Sequence, residues 1–442
     1  MASIISSCFS WVSAMWNKLP VSAVVEEILR GPPRHLPDEV ILQILTKLPA
    51  KSILRCRCVC RRWKALISAR EFAELHLKHS VPMIIVGPQW GGDGEKQLCL
   101  LDTCEATTTE ILCTNKITVN SVKPVSKSDR HEFLYSSNGL IIFREEFRKS
   151  TSGLEHYVLL NPITREKVRL ITPKGLIYGI YFNPFVKDQY CLLWGGRFLR
   201  ENGSMKYRIL VLGGSKSHSQ SHPQTCCSRE LYDNDDDLFS YQPRAQTPPI
   251  IIDDALYWMV GNRYAIAREN SSSLPHIRLG PSCAESIVAL DTKTEKFSVM
   301  PHPGPRDQYC KDDPEHSRMH LVEMDDHGFL CLCESSLFEE SINIWILKQQ
   351  DDRNGPLWMR WHRVNIDLDV SRFPCGTSNK NVRPVVIVDG GLLLEWPSKV
   401  LIALNFKMDT VARRIENGSY MYAHSPNFVS LSNCEPEILM ST

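Results

Sequence analysis

The sequence predicts an α+β chain in two parts: a small helical module near the N-terminus, then a large all-β array. Three observations carry this. Residues 35–67 hold two helical patterns, with a proline at each end of the first. After residue 80 helical periodicity fades into short runs of Ile, Val, Leu, Tyr and Trp, punctuated by Gly, Pro, Asn and Asp. Units of roughly 40–50 residues then recur, each reading as about four antiparallel strands.

Composition sets the frame. The chain has 442 residues, 43% hydrophobic and 23% charged, with a formal net charge of +1. That suits two or three soluble domains. No run of eighteen apolar residues occurs, so no membrane-spanning helix is expected. The sixteen cysteines follow no secretory-type start and show no disulfide spacing, so reduced thiols in a cytoplasmic or nuclear protein are expected. None has the Cys-x-x-Cys plus Cys/His pattern of a zinc site, and neither a metal nor a cofactor is expected.

Residues 1–33 read as a variable extension. Ile4, Cys8, Val12, Met15 and Leu19 fall on one helical face, and the first lysine is Lys18, unlike a signal peptide. An interfacial helix stays open, although its polar face lacks the usual Lys and Arg. Pro32-Pro33 marks the junction with the helical module, read as residues 34–80.

In that module Pro37 suits a first helical turn, where a missing N–H costs nothing. Asp38 and Glu39 follow where negative charge suits the helix dipole. Val40, Ile41, Ile44, Leu45 and Leu48 recur at helical spacing, and Pro49 stops the helix near Leu48. Ser52 is a candidate N-cap for the next element. Ile53, Leu54, Val59, Trp63, Leu66 and Ile67 then span two short helices with a bend near Val59-Cys60, and a helical tail covers residues 72–77. Three short helices in fewer than fifty residues rarely supply more than about 3–5 kcal/mol of core stability. The apolar positions cover more than one face, so either a partner protein or the rest of the chain completes the core. A basic run, Lys51, Arg55, Arg57, Arg61, Arg62 and Lys64, raises nucleic-acid binding. The near-neutral chain and the lack of a second basic stripe argue against it, and no nucleic-acid partner is expected.

The segment resembles the F-box motif. The matching residues are Leu36-Pro37, Ile44-Leu45, Leu48-Pro49, Ser52-Ile53-Leu54, Val59-Cys60 and Trp63. The resemblance implies docking on a Skp-type adaptor, and through it a cullin, in an SCF ubiquitin ligase. The adaptor-binding set is then Leu36, Pro37, Ile41, Ile44, Leu45, Leu48, Pro49, Leu54, Val59, Cys60 and Trp63, each on the adaptor face or supporting it.

In residues 81–442 four segments align: 100–112, 159–170, 289–300 and 403–415. Asp102, Asn161, Asp291 and Asn405 hold the equivalent position, where Asp or Asn bonds the backbone two residues on. Each segment reads as a hairpin. Other strand–turn–strand elements surround 138–143, 254–259, 327–332 and 390–395, and another unit starts at 179–194 with an Asn183-Pro184 turn. Five or six such units predict a β-propeller, with a β-sandwich or mixed barrel left open. The elements NGLIIF, YVLLNPITREKVRL, DALYWMVG, IVALDTKTEKFSVMP and GFLCLCE, in this order after the helical motif, resemble the F-box-associated region of plant F-box proteins, a kelch-like β-propeller. Residues 213–249, with an acidic cluster at Asp233, Asp235, Asp236 and Asp237, and residues 301–317 read as long loops.

No catalytic constellation emerges: the chain has no phosphate loop, His-Glu-x-x-His helix or Gly-x-Ser-x-Gly elbow. His302, His316, His320 and His327 read as surface or turn residues, and Trp194, Trp258, Trp345, Trp358, Trp361 and Trp396 as blade packing, with one or two of them left open as binding-surface residues. Cys331 and Cys333 alternate on one strand and share a face. The expectation is a non-catalytic substrate receptor whose target, and the residues binding it, stay unknown. Its rivals are an adaptor-binding protein acting outside a ligase and a propeller-type metal oxidase.

Overall fold

The computed structural model describes residues 37–48, 50–79, 82–90, 96–102, 130–146, 154–186, 189–196, 206–212, 228–231, 241–244, 247–265, 277–279, 282–304, 316–324, 328–336, 341–351, 355–365, 382–388, 391–396, 400–406, 410–415, 420–426, 428, 431 and 437–439. The extension 1–33, Leu36, Pro49, the cluster at 233–237 and His327 lie outside them. The chain divides into two compact units, residues 1–80 and 81–442.

Four helices make up the first unit: α1 (Asp38–Thr46), α2 (Ala50–Cys56), α3 (Arg61–Ser68) and α4 (Arg70–His79). Pro37 is the N-cap of α1, one position ahead of the expected first turn, and its carbonyl accepts from Ile41 N–H at 3.1 Å. Ser52 is no cap: α2 starts two residues earlier, so Ser52 sits inside it. Cys60 caps α3, its thiol sulfur accepting from Trp63 N–H at 3.4 Å. Ile41, Leu45, Leu48, Ile53, Ile67, Phe72 and Ala73 are buried and form this unit's core. The buried His76 stacks on Phe72 and contacts Leu48 O through Nε2 at 3.0 Å, so Nε2 is the donor.

The second unit is built from antiparallel groups in chain order. β1 (Met83–Trp90) and β2 (Lys96–Asp102) pair first. β3 (Arg130–Ser137), β4 (Leu140–Glu146), β5 (Leu154–Leu160) and β6 (Lys167–Pro173) form a meander. So do β7 (Leu176–Phe182), β8 (Tyr190–Gly196), β9 (Lys206–Leu212) and β10 (Ser228–Glu230). A fourth group holds β11 (Tyr241–Pro243), β12 (Ile250–Ile252), β13 (Ala255–Ala265), β14 (Ile277–Leu279), β15 (Ile287–Asp291) and β16 (Phe297–Met300). β17 (Met319–Met324), β18 (Cys331–Ser336), β19 (Ser341–Asp351) and β20 (Gly355–Asn365) precede β21 (Arg383–Val388), β22 (Gly391–Trp396), β23 (Val400–Asn405) and β24 (Thr410–Ile415). These last two groups touch as one eight-stranded sheet only through a short parallel pairing, Glu323 with Val386 and Met324 with Ile387.

The final strands run back to the beginning. β25 (Tyr420–His424) pairs antiparallel with β1, setting Ile85 opposite Tyr422. β26 (Glu437–Leu439) pairs parallel with β6. Ser136 Oγ lies 2.8 Å from His424 Nδ1, and the rings of Phe133 and Tyr422 are 5.0 Å apart.

The turn chemistry is local. Asn161 Oδ1 accepts from Ile163 N–H at 2.9 Å, Asn183 Oδ1 from Phe185 N–H at 3.0 Å, and Asp291 Oδ1 from Lys293 N–H at 2.9 Å. The Thr294 N–H bonded to Asp291 holds that carboxyl below its ordinary range. Between β3 and β4, Asn138 and Gly139 take φ of +49° and +75°, the positive pair a tight two-residue hairpin turn requires.

Aromatic side chains stitch neighbouring groups. Trp194, Trp258, Tyr135, Tyr157 and Tyr207 are fully buried. Each such ring removes roughly 150–250 Å² from water, worth about 4–6 kcal/mol as an upper bound. Two of their polar tips find main-chain acceptors in the next group: Tyr135 Oη donates to Ile177 O at 2.7 Å, and Tyr207 Oη to Tyr241 O at 2.8 Å. Gly179 lets the fourth group approach, since a Cβ there would meet Leu256 Cδ2 at 2.9 Å and Trp258 Cζ2 at 3.2 Å.

Two loop expectations are corrected. Residues 213–249 contain β10 and β11, and Leu231, Tyr241 and Gln242 are buried. Strands of three residues are too brief to show a period of two. His302 and His316 are no surface residues, at 2% and 1% exposure. They flank a segment whose polar composition hid the fact that both ends turn inward.

Candidate functional site

The structure sorts the expected adaptor-binding set by burial. Ile41, Leu45 and Leu48 are buried among the module's own helices and belong to its core. Pro37 and Cys60 are exposed, and Ile44, Leu54 and Trp63 are half-buried. Val59, in the turn between α2 and α3, leaves 44% of its surface in solvent. An exposed branched apolar side chain at a helix junction gains nothing from water, and a partner covering it recovers the transfer free energy. Leu36 and Pro49 lie outside the described residues.

The basic run sits beside these groups. Arg55, Arg61 and Lys64 are exposed. Arg62 Nε donates to Asp38 Oδ1 at 2.6 Å, tying α3 to the start of α1, and Arg57 donates to Ser68 Oγ at 3.3 Å. Both partners of the Arg62–Asp38 pair are nearly half exposed, so the pair orients more than it stabilises.

In the second unit the described apolar groups left in water fall mainly in two places. Phe185, at 66% exposure, and Val186 project from the Asn183 turn between β7 and β8. Leu357, at 59%, with Met359 and Trp361, recurs at alternate positions of β20, the outermost strand of its sheet. Trp361 also packs edge-on against Phe406, at 5.4 Å between centroids.

The interior carries thiols and imidazoles whose titration is shifted by burial. Cys331 and Cys333 are fully buried in one apolar cluster, as their alternation implied. Burial pushes the Cys331 thiol up to about 12 and Cys333 well above its ordinary value. Burial likewise raises Cys191 to about 11, against the opposing pull of Arg229. His424 is pushed down to about 3 by burial. His320 falls to about 3, first through burial and then through Arg244 and Arg383.

Helices with an outward apolar residue at a junction, followed by a closed array of β-meanders, define the class of protein. The F-box-like family profile matches residues 34–72, and the F-box associated beta propeller domain profile matches residues 126–390. The chain therefore belongs to the plant F-box proteins that carry a C-terminal propeller domain. F-box protein At5g49610 of Arabidopsis thaliana is 31% identical over 275 residues, covering 58% of this chain and 69% of that protein. Putative F-box protein At1g33530 of the same plant is 22% identical over 345 residues, covering 77% of this chain and 64% of the relative. F-box only protein 12 of that plant is 42% identical over 60 residues, covering 13% of this chain and 15% of the relative. Among solved structures, a prolyl endopeptidase structure covers 83% of this chain and 47% of its own, at 10% identity and a TM-score of 0.38. No argument rests on so distant a likeness.

Proposed function

We propose that this chain is the substrate-recognition subunit of an SCF-type ubiquitin ligase. Residues 34–80 engage a Skp-type adaptor, the adaptor links to a cullin, and residues 81–442, a β-propeller of five or six blades, bind a target protein. The carrying observation is the solvent-facing apolar group at Val59, with Ile44, Leu54 and Trp63 only half covered, inside a segment matching the F-box-like family. A module this small gains from a partner that completes its core.

The mechanism is proximity. Holding a target and the ubiquitin-transfer machinery on one assembly replaces a bimolecular encounter by an effectively intramolecular one. In this reading the chain supplies binding surfaces and no nucleophile, base or cofactor. It works in the cytoplasm or nucleus, where the ligase machinery is found.

Co-purification tests this. The full chain captures a plant Skp-type adaptor, and the double variant Leu36→Ala/Pro37→Ala loses it while keeping the circular dichroism and melting behaviour of the parent. Undiminished capture sinks the assignment. Cullin and ubiquitinated products in the same complex separate the ligase reading from an adaptor-binding role outside a ligase.

A further inference from the structure

Cys283, His302 and His316 come from three separate stretches of chain and meet at one point of the second unit. Cys283 opens a single 3-10 turn (Cys283–Glu285) just ahead of β15. His302 lies two residues past β16, and His316 three residues before β17. One donor atom from each, a thiol sulfur and two ring nitrogens, lies within 4.8 Å of the other two. The imidazole centroids are 4.9 Å apart, and both rings are buried. Cys283 is half-buried and its thiol is free of any disulfide.

The surroundings hold both histidines in place. Backbone N–H of His302 donates to Ser286 Oγ at 2.8 Å, and ring Nδ1 is 2.7 Å from Pro303 O. A carbonyl oxygen only accepts, so Nδ1 carries the proton and Nε2 keeps its lone pair. A backbone carbonyl fixing the tautomer in this way recurs behind metal-binding histidines. His316 stands in the left-handed region at φ +50°. Its carbonyl accepts from Arg244 Nη2 at 2.7 Å and from Met319 N–H at 3.0 Å, and Arg244 Nη1 donates to Met319 O at 2.8 Å. Such a conformation is strained in a residue other than glycine and persists where surrounding contacts over-determine it.

We propose that Cys283, His302 and His316 bind one zinc ion, with water in the fourth position. One thiolate, two imidazoles and a water make a tetrahedral set that zinc accepts; the same three ligands in a trigonal plane suit copper. A tetrahedral zinc sets such ligands roughly 3.3–3.7 Å apart, so binding needs only a small closure of the three side chains. The ion ties the β15–β16 hairpin to the start of β17 and joins two successive strand groups. Zinc has no redox chemistry, so a zinc ion held here is no oxidase centre. The proposal is independent of the adaptor reading.

The test uses the full chain without a polyhistidine tag, loaded with zinc, dialysed against metal-free buffer and measured by elemental mass spectrometry. One zinc per chain is expected, falling to below about a tenth in Cys283→Ser and in His302→Gln. Cobalt(II) in place of zinc gives a thiolate-to-cobalt charge-transfer band that Cys283→Ser abolishes. This readout needs only the serine variant to fold, should a histidine variant fail to. No stoichiometric zinc together with no cobalt band overturns the site, and so does zinc kept in full by Cys283→Ser.

Discussion

Trp258 Nε1 donates to the main-chain carbonyl of Tyr178 at 2.9 Å, joining two strand groups across eighty residues of sequence. Both residues are buried, so neither polar group finds water if the bond is lost. Trp258→Phe keeps most of the ring but leaves that carbonyl without its donor, and should cost about 1–3 kcal/mol. Trp258→Ala adds a cavity and should cost about 3–5 kcal/mol. Urea unfolding followed by near-ultraviolet circular dichroism checks both. Equal losses for the two variants would refute the bond's separate contribution.

The helical unit invites a paired comparison. Leu45 is buried and Val59 exposed, although both belong to the F-box segment. Leu45→Ala should destabilise by about 2–5 kcal/mol through its cavity, and weaken adaptor capture as a by-product. Val59→Asp should leave stability within about 0.5 kcal/mol of the parent yet reduce adaptor affinity at least tenfold. Calorimetric binding beside thermal melts tells them apart. A Val59→Asp chain that binds normally removes Val59 from the interface.

Thiol chemistry follows burial. Cys58 and Cys60 are exposed, while Cys191, Cys331 and Cys333 are buried with thiols raised well above neutral pH. The thiolate is the nucleophile, so brief alkylation at pH 7.5 should modify Cys58 and Cys60 and spare those three. Peptide mass mapping reads this directly. Bound adaptor should protect Cys60.

Acid should open the unit where its ends meet. His424 is neutral in the fold, pushed down to about 3 by burial, against about 6.5 in an unfolded chain. The unfolded state then binds the extra proton, so stability is complete above pH 6.5 and drains away as pH falls from there towards 3. The loss should reach a few kcal/mol, concentrated at the β1–β25 pairing. Hydrogen exchange between pH 7 and 4.5 should show Met421 and Tyr422 losing protection before Leu192 and Leu193. His424→Gln should lessen that pH dependence.

Local signals were legible in the sequence and remote ones were not. Asn161, Asn183 and Asp291 announced their turns because an Asx turn is made within three residues. Asn138-Gly139 announced a hairpin because few other pairs tolerate two positive φ values. Ser52 misled because a serine two places inside a short helix looks the same in sequence as a cap. The parallel pairing of β17 with β21 and the return of β25 to β1 leave no local trace, since each depends on partners supplied by distant chain. The Cys283–His302–His316 cluster escaped for the same reason: no short motif spans it, and the fold alone assembles it.

Synthesis gives the pairing of Ile85 with Tyr422 a cost in time. Roughly 340 residues separate the two partners, and at about 5–20 residues per second the ribosome needs roughly 20–70 s to deliver the second after the first. Throughout that interval the hydrogen-bonding edge of β1 that β25 later occupies stands open, in the condition that recruits strands from other chains. The nascent protein must therefore be shielded longest at β1, although the four helices ahead of it are made earlier still.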